Sequence, residues 1–348
     1  MTIYIILYIL LLCSAIADFS IKKQRNIILL VWSVILVLFI GFRGTTGADT
    51  GNYINFFENY TNTFYEWRTI DKQYAEYGFY FLSVLLKTII DNTDFYFLAI
   101  SVLTFSFLIP SLFKMSIYPI MGLIVYFSRF MIIRDMNQIR QALAIVIIVF
   151  ALKYLGENKK KVFLWLLLLA ICFHHSSIII LPFIFLYKIN ITTKKAAWLF
   201  ITSCTASVIL GKAIKLALMA TDNVVLLTYV DTKNLGLANP VIIFQTVLFF
   251  LYSYYGKLLN NIQPYYGTIR NAYFYSLILL VLTSGLGEIG GRLGTIFATC
   301  EIFIIPALVK IVKPNYLGYI IFCLLAVFLF YMNFNKLEPY LWNYFDLR

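Results

Sequence analysis

Long apolar runs follow one another along almost the whole chain, and short polar stretches separate them. Each run lasts 12 to 19 residues, close to the roughly 20 mainly apolar residues that a helix needs to cross a bilayer. The pattern therefore predicts an all-α polytopic membrane protein. The runs cover residues 3–17, 27–42, 77–90, 95–113, 118–133, 138–155, 162–174, 176–187, 197–211, 240–256, 271–286, 293–309 and 315–333.

Lysine and arginine are concentrated in alternate polar stretches, as expected of short loops on the cytoplasmic side. If all of these basic loops are inside, Arg43 lies outside and Lys114 lies inside. An odd number of crossings must then separate them, yet two apolar runs lie between them. Run 77–90 is the shorter of the two, so we predict that it is an outer-surface or re-entrant helix within an outer loop, 43–94. About twelve transmembrane helices remain, with both chain ends outside and one integral membrane domain over residues 1–348.

The composition agrees with this interpretation. Of 348 residues, 61% are hydrophobic and 13% are charged, and no soluble fold has enough interior for so much apolar surface. The net charge of +12 resides in the predicted inner loops, so it indicates topology and gives no reason to expect nucleic acid as a partner. The five cysteines lack metal-site or disulfide spacing. We expect no metal and no cofactor.

Charge interrupts the apolar pattern at Arg134–Gln141, RDMNQIRQ, between two long runs. Ionisable groups at membrane depth are costly, and those that occur usually line a polar cavity. Asn137, Arg140 and Gln141 have the spacing of one helix face, and the planar guanidinium of arginine suits phosphate or carboxylate. We interpret the segment as an anion clamp. The alternative is an interfacial anchor whose arginines only extend to the membrane surface.

Two predicted outer loops are long enough to contact a substrate. The first, 43–76, begins RGTTGADTGNY and is rich in aromatic and acidic residues. Its glycines permit an irregular backbone, and Arg43 and Asp49 place opposite charges on it. The aromatic rings suit stacking on sugars, although an interfacial aromatic belt has the same composition. The second loop, 212–239, is a candidate for choosing the substrate by its position alone.

The segment ICFHHSS, residues 171–177, holds the two histidines of the chain. Basic loops on both sides of this apolar stretch require a hairpin, so its turn is predicted at the outer side near His174. A histidine there can act as a general base at neutral pH. A histidine that only forms a structural hydrogen bond to the backbone fits the pattern equally well.

A third predicted outer region is the glycine-rich turn GLGEIGGRLG, residues 285–294, which carries Glu288 and Arg292. Glu301 follows inside the next apolar run. Nine helical steps place Glu301 roughly opposite Arg292, so the two are poor partners. Glu301 is therefore either a functional carboxylate within the membrane or the partner of a cation on a neighbouring helix.

Four motifs occur in order between about residues 40 and 310, and together they resemble the EpsG-type branch of the Wzy polysaccharide polymerases. The doubled histidine leaves both His174 and His175 open for the family position. The motifs are R-G-x-x-x-x-D-x-x-N-Y (Arg43, Asp49, Asn52, Tyr53), N-x-I-R-Q-A-L-A (Asn137 to Ala144), F-H-x-S (Phe173, His174, Ser176) and an arginine that opens a late run containing a proline (Arg292, Pro306).

The resemblance implies a membrane glycosyltransferase that lengthens O-antigen, capsule or exopolysaccharide at the outer face of the bacterial cytoplasmic membrane. Such an enzyme transfers the growing glycan from undecaprenyl pyrophosphate to an incoming lipid-linked repeat unit. The implied partners are undecaprenyl-pyrophosphate-linked oligosaccharides and the lipid bilayer, with a chain-length regulator and a flippase acting in the same process. An O-antigen ligase and a lipid-linked oligosaccharide flippase are the alternatives, although the long outer loop comes early for a ligase and no internal repeat indicates a transporter.

The implied chemistry assigns roles to the singled-out residues. A pyrophosphate leaving group needs cations, and an acceptor hydroxyl needs a base within hydrogen-bonding distance. Asp49 or His174 is expected to be the base, and Arg140 is expected to act directly on the leaving group. The other residues expected to bind substrate or pyrophosphate are Arg43, Asn52, Tyr53, Arg134, Asn137, Gln141, Ser176, Glu288 and Arg292.

Overall fold

The computed structural model describes residues 2–66, 72–219 and 236–337, and every regular element within these ranges is helical. The predicted all-α class is confirmed. The α-helices are α1 (Thr2–Ser14), α2 (Lys22–Gly41), α3 (Thr50–Asn55), α4 (Tyr77–Ile89), α5 (Thr93–Met115), α6 (Pro119–Tyr126), α7 (Ile132–Arg134), α8 (Ile139–Gly156), α9 (Lys160–Phe173), α10 (Phe183–Leu186), α11 (Thr193–Met219), α12 (Pro240–Tyr254), α13 (Gly256–Ile262), α14 (Tyr266–Leu282), α15 (Gly287–Gly294), α16 (Glu301–Ile311) and α17 (Asn315–Leu337).

Several helices are long and apolar enough to cross a membrane, so the chain is a membrane protein. Within the described ranges five helical stretches meet this condition, and α12 with α13, bent by 77° at their junction, would make a sixth. The predicted count of about twelve is not confirmed, and several of the other apolar runs fold as shorter or broken helices. The five stretches are Lys22–Gly41, Thr93–Met115, Ile139–Gly156, Gly290–Ile311 and Asn315–Asn335.

The segments predicted to lie outside gather at one end of the helical bundle, and basic loops gather at the other. At the first end, Gln141 contacts the backbone of Arg292. At the opposite end, Arg25 donates to the carbonyl of Ile117, and Tyr265 donates to Glu157. The basic loops and the predicted outer segments therefore lie at opposite ends of the bundle, as the charge pattern of the sequence predicts. We call the two ends outer and inner from here on, following the charge rule.

Helix α4 packs against the predicted outer loop at both of its ends. Near its C-terminus, Lys87 Nζ donates to the carbonyl oxygens of Phe57 and Glu58, both at 2.8 Å. Its N-terminus adjoins Glu76, which contacts the turn after α9. The 13-residue helix thus begins and ends at the outer end of the bundle, as expected of an outer-surface or re-entrant helix. Its depth in a membrane stays a prediction.

A separate aromatic core holds α3, α4 and the start of α5 together. Phe57 stacks on Tyr96 with ring centroids 4.4 Å apart. Because these rings pack mainly on each other, the outer loop and α4 pack together as one subdomain at the outer end of the bundle. The buried aromatic residues of this core are Tyr53, Phe56, Phe57, Phe79, Tyr80, Tyr96 and Phe97.

The outer loop docks on the turn between α7 and α8 through a close backbone approach. The N–H of Ala48 donates to the side-chain oxygen of Asn137 at 2.6 Å, and Arg43 donates to the carbonyl of Asp135. Gly47 has a φ of +112°, and a Cβ there would come within 2.1 Å of the Met136 carbonyl oxygen. Glycine is therefore required at this position by both conformation and space.

Replacing Gly47 with alanine is expected to lower the free energy of unfolding by about 1–3 kcal/mol, since the loop must shift or remain strained. Thermal unfolding of the purified protein checks this. Gly51 is the matched control, because it lies four residues further on in α3 with nothing within 4 Å of its Cβ position. The Gly51→Ala change should leave stability unchanged or raise it by up to about 1 kcal/mol. Equal losses in both variants would contradict the docking role of Gly47.

Candidate functional site

A cavity of about 450 Å³ lies toward the outer end, between the α6–α7 segment, α8, α12, the segment from α15 to the start of α16, and α17. Three cations, Arg129, Arg134 and Arg292, line it, and no Asp or Glu does so among the described residues. The cavity therefore suits an anionic group. Its full lining is Arg129, Phe130, Ile133, Arg134, Gln138, Gln141, Val241, Gly291, Arg292, Thr295, Ala298 and Asn333.

Arg134 is fixed by two hydrogen bonds to the segment between α15 and α16. Its Nη1 donates to the hydroxyl of Thr299 at 2.6 Å, and its Nη2 donates to the carbonyl of Thr295 at 2.9 Å. The guanidinium lies over the ring of Phe130, 4.5 Å from the centroid. No carboxylate takes part in these contacts, so the positive charge stays available to the cavity.

Arg129 is held by a buried ion pair. Its Nε lies 3.0 Å from a carboxylate oxygen of Glu301, whose other oxygen accepts from the hydroxyl of Tyr273 at 3.1 Å. The side chain of Glu301 is fully buried. Glu301 therefore pairs with a cation on a neighbouring helix, the second of the two possibilities that the sequence left open.

A π-helical turn, Phe127–Met131, joins α6 to α7 and brings Arg129 and Arg134 to the same cavity. On an unbroken α-helix, residues five apart lie about 140° apart around the axis, so both could not face one cavity easily. The wider turn reduces this angle. Asn333 of α17 stabilises the turn by donating to the carbonyl of Ser128 at 3.1 Å.

The start of α8 supplies the polar side of the cavity. Gln138 and Gln141 both line it, and Gln141 Nε2 donates to the backbone carbonyl of Arg292 at 3.3 Å. The helix N-terminus also directs backbone N–H groups and the positive end of its dipole toward this region. Both the arginine charges and the helix dipole would therefore stabilise an anion in the cavity.

A second cluster forms around Glu76, on the other side of the start of α8. Arg140 Nη1 lies 2.5 Å from one carboxylate oxygen of Glu76 and 3.0 Å from the carbonyl of Tyr74. His174 Nδ1 lies 3.0 Å from the other carboxylate oxygen, which also accepts the backbone N–H of His175 at 3.2 Å. Glu76 therefore ties the outer loop to α8 and to the turn after α9.

Ionised Glu76 stabilises this cluster. Burial alone would raise the pKa of Glu76, but the hydrogen bond from His174 and the charge of Arg140 outweigh burial and lower that pKa from 4.5 to about 2. An ionised carboxylate accepts the Nδ1–H of His174, which leaves Nε2 of the neutral ring as a proton acceptor. The arrangement is a carboxylate–histidine pair with the geometry of an oriented base.

Acid is expected to weaken the folded protein through this group. Because the pKa of Glu76 is lower in the folded than in the unfolded chain, its contribution is fully present above about pH 4.5. The contribution declines as the pH falls toward 2 and is on the order of 3 kcal/mol at neutral pH. Unfolding of wild type and Glu76→Gln, compared from pH 6 to pH 2.5, checks this. A stability difference that does not shrink at low pH would contradict it.

Other predicted residues lie near the Glu76 cluster. Tyr53 is buried beside Arg140, and the exposed Asn52 accepts the hydroxyl of Tyr74 on its backbone carbonyl at 3.1 Å. Asp49 is half-buried at the start of α3. Ser176 follows the histidines, and its buried hydroxyl has no hydrogen-bond partner among the described residues.

Two predicted residues, Arg43 and Asn137, have positions that the sequence did not indicate. Arg43 is fully buried, with its guanidinium 3.9 Å from the Phe97 ring centroid. Asn137 precedes α8, which begins at Ile139, so it does not share a helix face with Arg140 and Gln141 as expected. Its side chain instead connects Ala48 to the carbonyl of Ile132. The side chain of Glu288 and most of the loop 212–239 lie outside the described residues.

The predicted site thus divides into two groups. Arg134, Gln141 and Arg292 meet at the cavity, whereas Arg140 and His174 meet at Glu76. Sequence reasoning missed Arg129, Gln138, Asn333 and the site role of Glu76. Arg129 gave a usable signal, because it is a lone cation inside an apolar run. Glu76 gave no comparable signal, because it lies at the end of the predicted outer loop 43–76.

The helical fold and the cavity define an integral membrane protein with a cationic cavity toward one end of a helical bundle. The family model for the EpsG family matches residues 26–345. The chain therefore belongs to the EpsG family, and its class is that of polymerase-like membrane proteins of polysaccharide biosynthesis. A search of curated proteins and a search of solved structures gave no match.

Proposed function

We propose that the protein polymerises undecaprenyl-pyrophosphate-linked repeat units at the outer face of the cytoplasmic membrane. The observation that carries this proposal is the cavity lined by Arg129, Arg134 and Arg292. A pyrophosphate leaving group gains negative charge as its bond to the sugar breaks, and cations placed beside it stabilise that charge. The family supports the same class of reaction.

The Glu76–His174 pair supplies the base in this proposal. An acceptor sugar hydroxyl attacks the anomeric carbon of the lipid-linked donor, and its proton passes to Nε2 of His174. The bond between the anomeric carbon and the pyrophosphate oxygen breaks, and its electron pair leaves with the undecaprenyl pyrophosphate. Glu76 orients the imidazole through Nδ1 and stabilises the imidazolium that forms.

The short and broken helices fit a chain that crosses the membrane about twelve times with the two clusters at the outer face. The π turn in the α6–α7 segment and the 3₁₀ turn at His175–Ile180 interrupt apolar runs at the depth of the site. Irregular backbone is tolerated in a membrane where it lines a polar cavity. The proposed crossing number therefore counts these broken segments as spans.

The surface polysaccharide of cells lacking the gene tests the proposal. We expect single repeats on the surface glycan without the gene and a full ladder on a gel after complementation with wild type. Absence of any repeat at the surface would overturn the polymerase assignment. In that case, lipid-linked repeats stalled outside the membrane would indicate a ligase, and repeats stalled inside would indicate a flippase.

A further inference from the structure

A larger polar basin of about 1130 Å³ opens at the inner end of the bundle, away from both clusters described above. It lies between the α8–α9 loop, the segment after α10, α13 and the start of α14. Its lining is Gly156, Asn158, Tyr187, Lys188, Ile189, Asn190, Ile191, Thr192, Thr193, Ser253, Tyr254, Lys257, Asn260, Gln263, Tyr265, Tyr266, Gly267, Thr268, Arg270 and Asn271.

The basin has a strong positive bias. Lys188, Lys257 and Arg270 are its charged residues, and no Asp or Glu lines it in the part of the chain that the structure describes. Asparagine, threonine and tyrosine side chains supply further hydrogen-bond donors. Such a set of groups suits a phosphate, which takes several donors and a counter-charge at once.

Arg270 is placed as a fixed cation in the wall of the basin. Its side chain is buried, with 8% relative exposure for the residue, and its Nε donates to the hydroxyl of Ser253 at 3.0 Å. The neighbouring Asn271 donates to the carbonyls of Tyr187 and Ile189 at 2.9 and 3.0 Å. These bonds hold the walls together without a carboxylate that would neutralise the arginine.

The basin also borders exposed apolar surface. Helix α13 turns by 77° from α12, so it runs across the end of the bundle rather than along it. Leu258 and Ile262 are exposed on this corner, whereas Lys257 and Asn260 line the basin. An amphipathic helix of this kind is typical of the membrane–water interface.

We infer that the basin binds the phosphate headgroup of an anionic phospholipid from the leaflet at the inner end. Basic pockets between membrane helices on the cytoplasmic side bind such headgroups, and the exposed apolar corner beside the cations provides a surface for the acyl chains. A soluble phosphate compound offers the same charge but gains nothing from that corner. The inference does not depend on the proposed polymerase activity.

Binding of phosphatidylglycerol to the purified full-length protein tests the inference, with phosphatidylcholine as the zwitterionic comparison that has no net charge. The Lys188→Gln/Lys257→Gln variant changes two exposed lysines, so it is expected to fold. We expect roughly 5-fold weaker phosphatidylglycerol binding for each lysine removed, measured by native mass spectrometry and by lipid-dependent thermal stabilisation. The matched control is Lys194→Gln/Lys195→Gln, which removes two exposed lysines outside the basin and should keep wild-type binding.

Three outcomes overturn the inference. Equal losses in the basin and control variants would mean a general attraction of the inner surface for anionic lipid. Equal binding of phosphatidylglycerol and phosphatidylcholine would exclude a site that selects an anionic headgroup. Inorganic phosphate that binds as tightly as the lipid, and depends on the same two lysines, would remove the lipid assignment and leave a site for a soluble phosphate.

Discussion

Replacing His174 with alanine is expected to slow glycan chain extension by about 10²- to 10⁴-fold, the usual contribution of a positioned general base. The expectation follows from the proposed function and from the hydrogen bond that fixes Nδ1 on Glu76. The loss should fall on the rate of the chemical step, because the variant leaves unchanged the arginine cavity that we propose binds the pyrophosphate. Chain extension by purified protein, with a lipid-linked repeat unit as substrate, measures this rate.

His175 provides the matched control. It is exposed, and only its backbone N–H contacts Glu76, so His175→Ala should retain most of the activity. Glu76→Gln should lie between the two, because the amide oxygen can still accept a hydrogen bond from Nδ1 but cannot stabilise an imidazolium. A larger loss of activity in His175→Ala than in His174→Ala would show that His175, and not His174, is the base. Full activity in His174→Ala would remove the base assignment altogether.

Replacing Glu301 with glutamine is expected to lower the free energy of unfolding by about 3–5 kcal/mol, the range seen when one partner of a buried ion pair is removed. The change leaves Arg129, with 13% side-chain exposure, beside a neutral amide in place of a carboxylate. Tyr273 loses its charged acceptor at the same time. Denaturant unfolding of the purified protein in detergent measures the effect.

A double variant separates stability from binding at this pair. In Arg129→Gln/Glu301→Gln both charges are gone, so most of the stability should return, while the cavity still lacks one of its three arginines and activity should stay low. The exposed pair of Glu157 and Lys159 gives the control, since Glu157→Gln there should leave the free energy of unfolding nearly unchanged. A double variant that regains full activity would show that Arg129 serves only the fold.

The sequence was informative where charge interrupts apolar runs. Arg134 and Arg292 could be selected because the cost of placing charge at membrane depth leaves few structural reasons for it, and both line the cavity. His174 could be selected because opposite basic loops force a turn at that point. These inferences needed only local pattern and topology, which a single sequence contains.

The sequence could not give the pairings, because they join distant parts of the chain. Arg129 and Glu301 are 172 residues apart, and Arg140 and Glu76 are 64 apart. Helical spacing placed Arg140 and Gln141 on one face, yet the fold directs them to different clusters because separate elements pack on each side of α8. The number of spans was also out of reach, since apolar periodicity does not reveal π and 3₁₀ interruptions.

Because of the π turn at Phe127–Met131, the cavity depends on the number of residues in this segment as well as on their chemical type. Such a turn contains one residue more than an α-helical turn. Deleting Phe127 or Ser128 would restore regular helix with Arg129 and Arg134 still five residues apart, about 140° around the axis, and every charged side chain would still be present. Substitutions at the apolar positions of this turn are therefore tolerated more readily than insertions or deletions, and the length of the segment is itself part of the site.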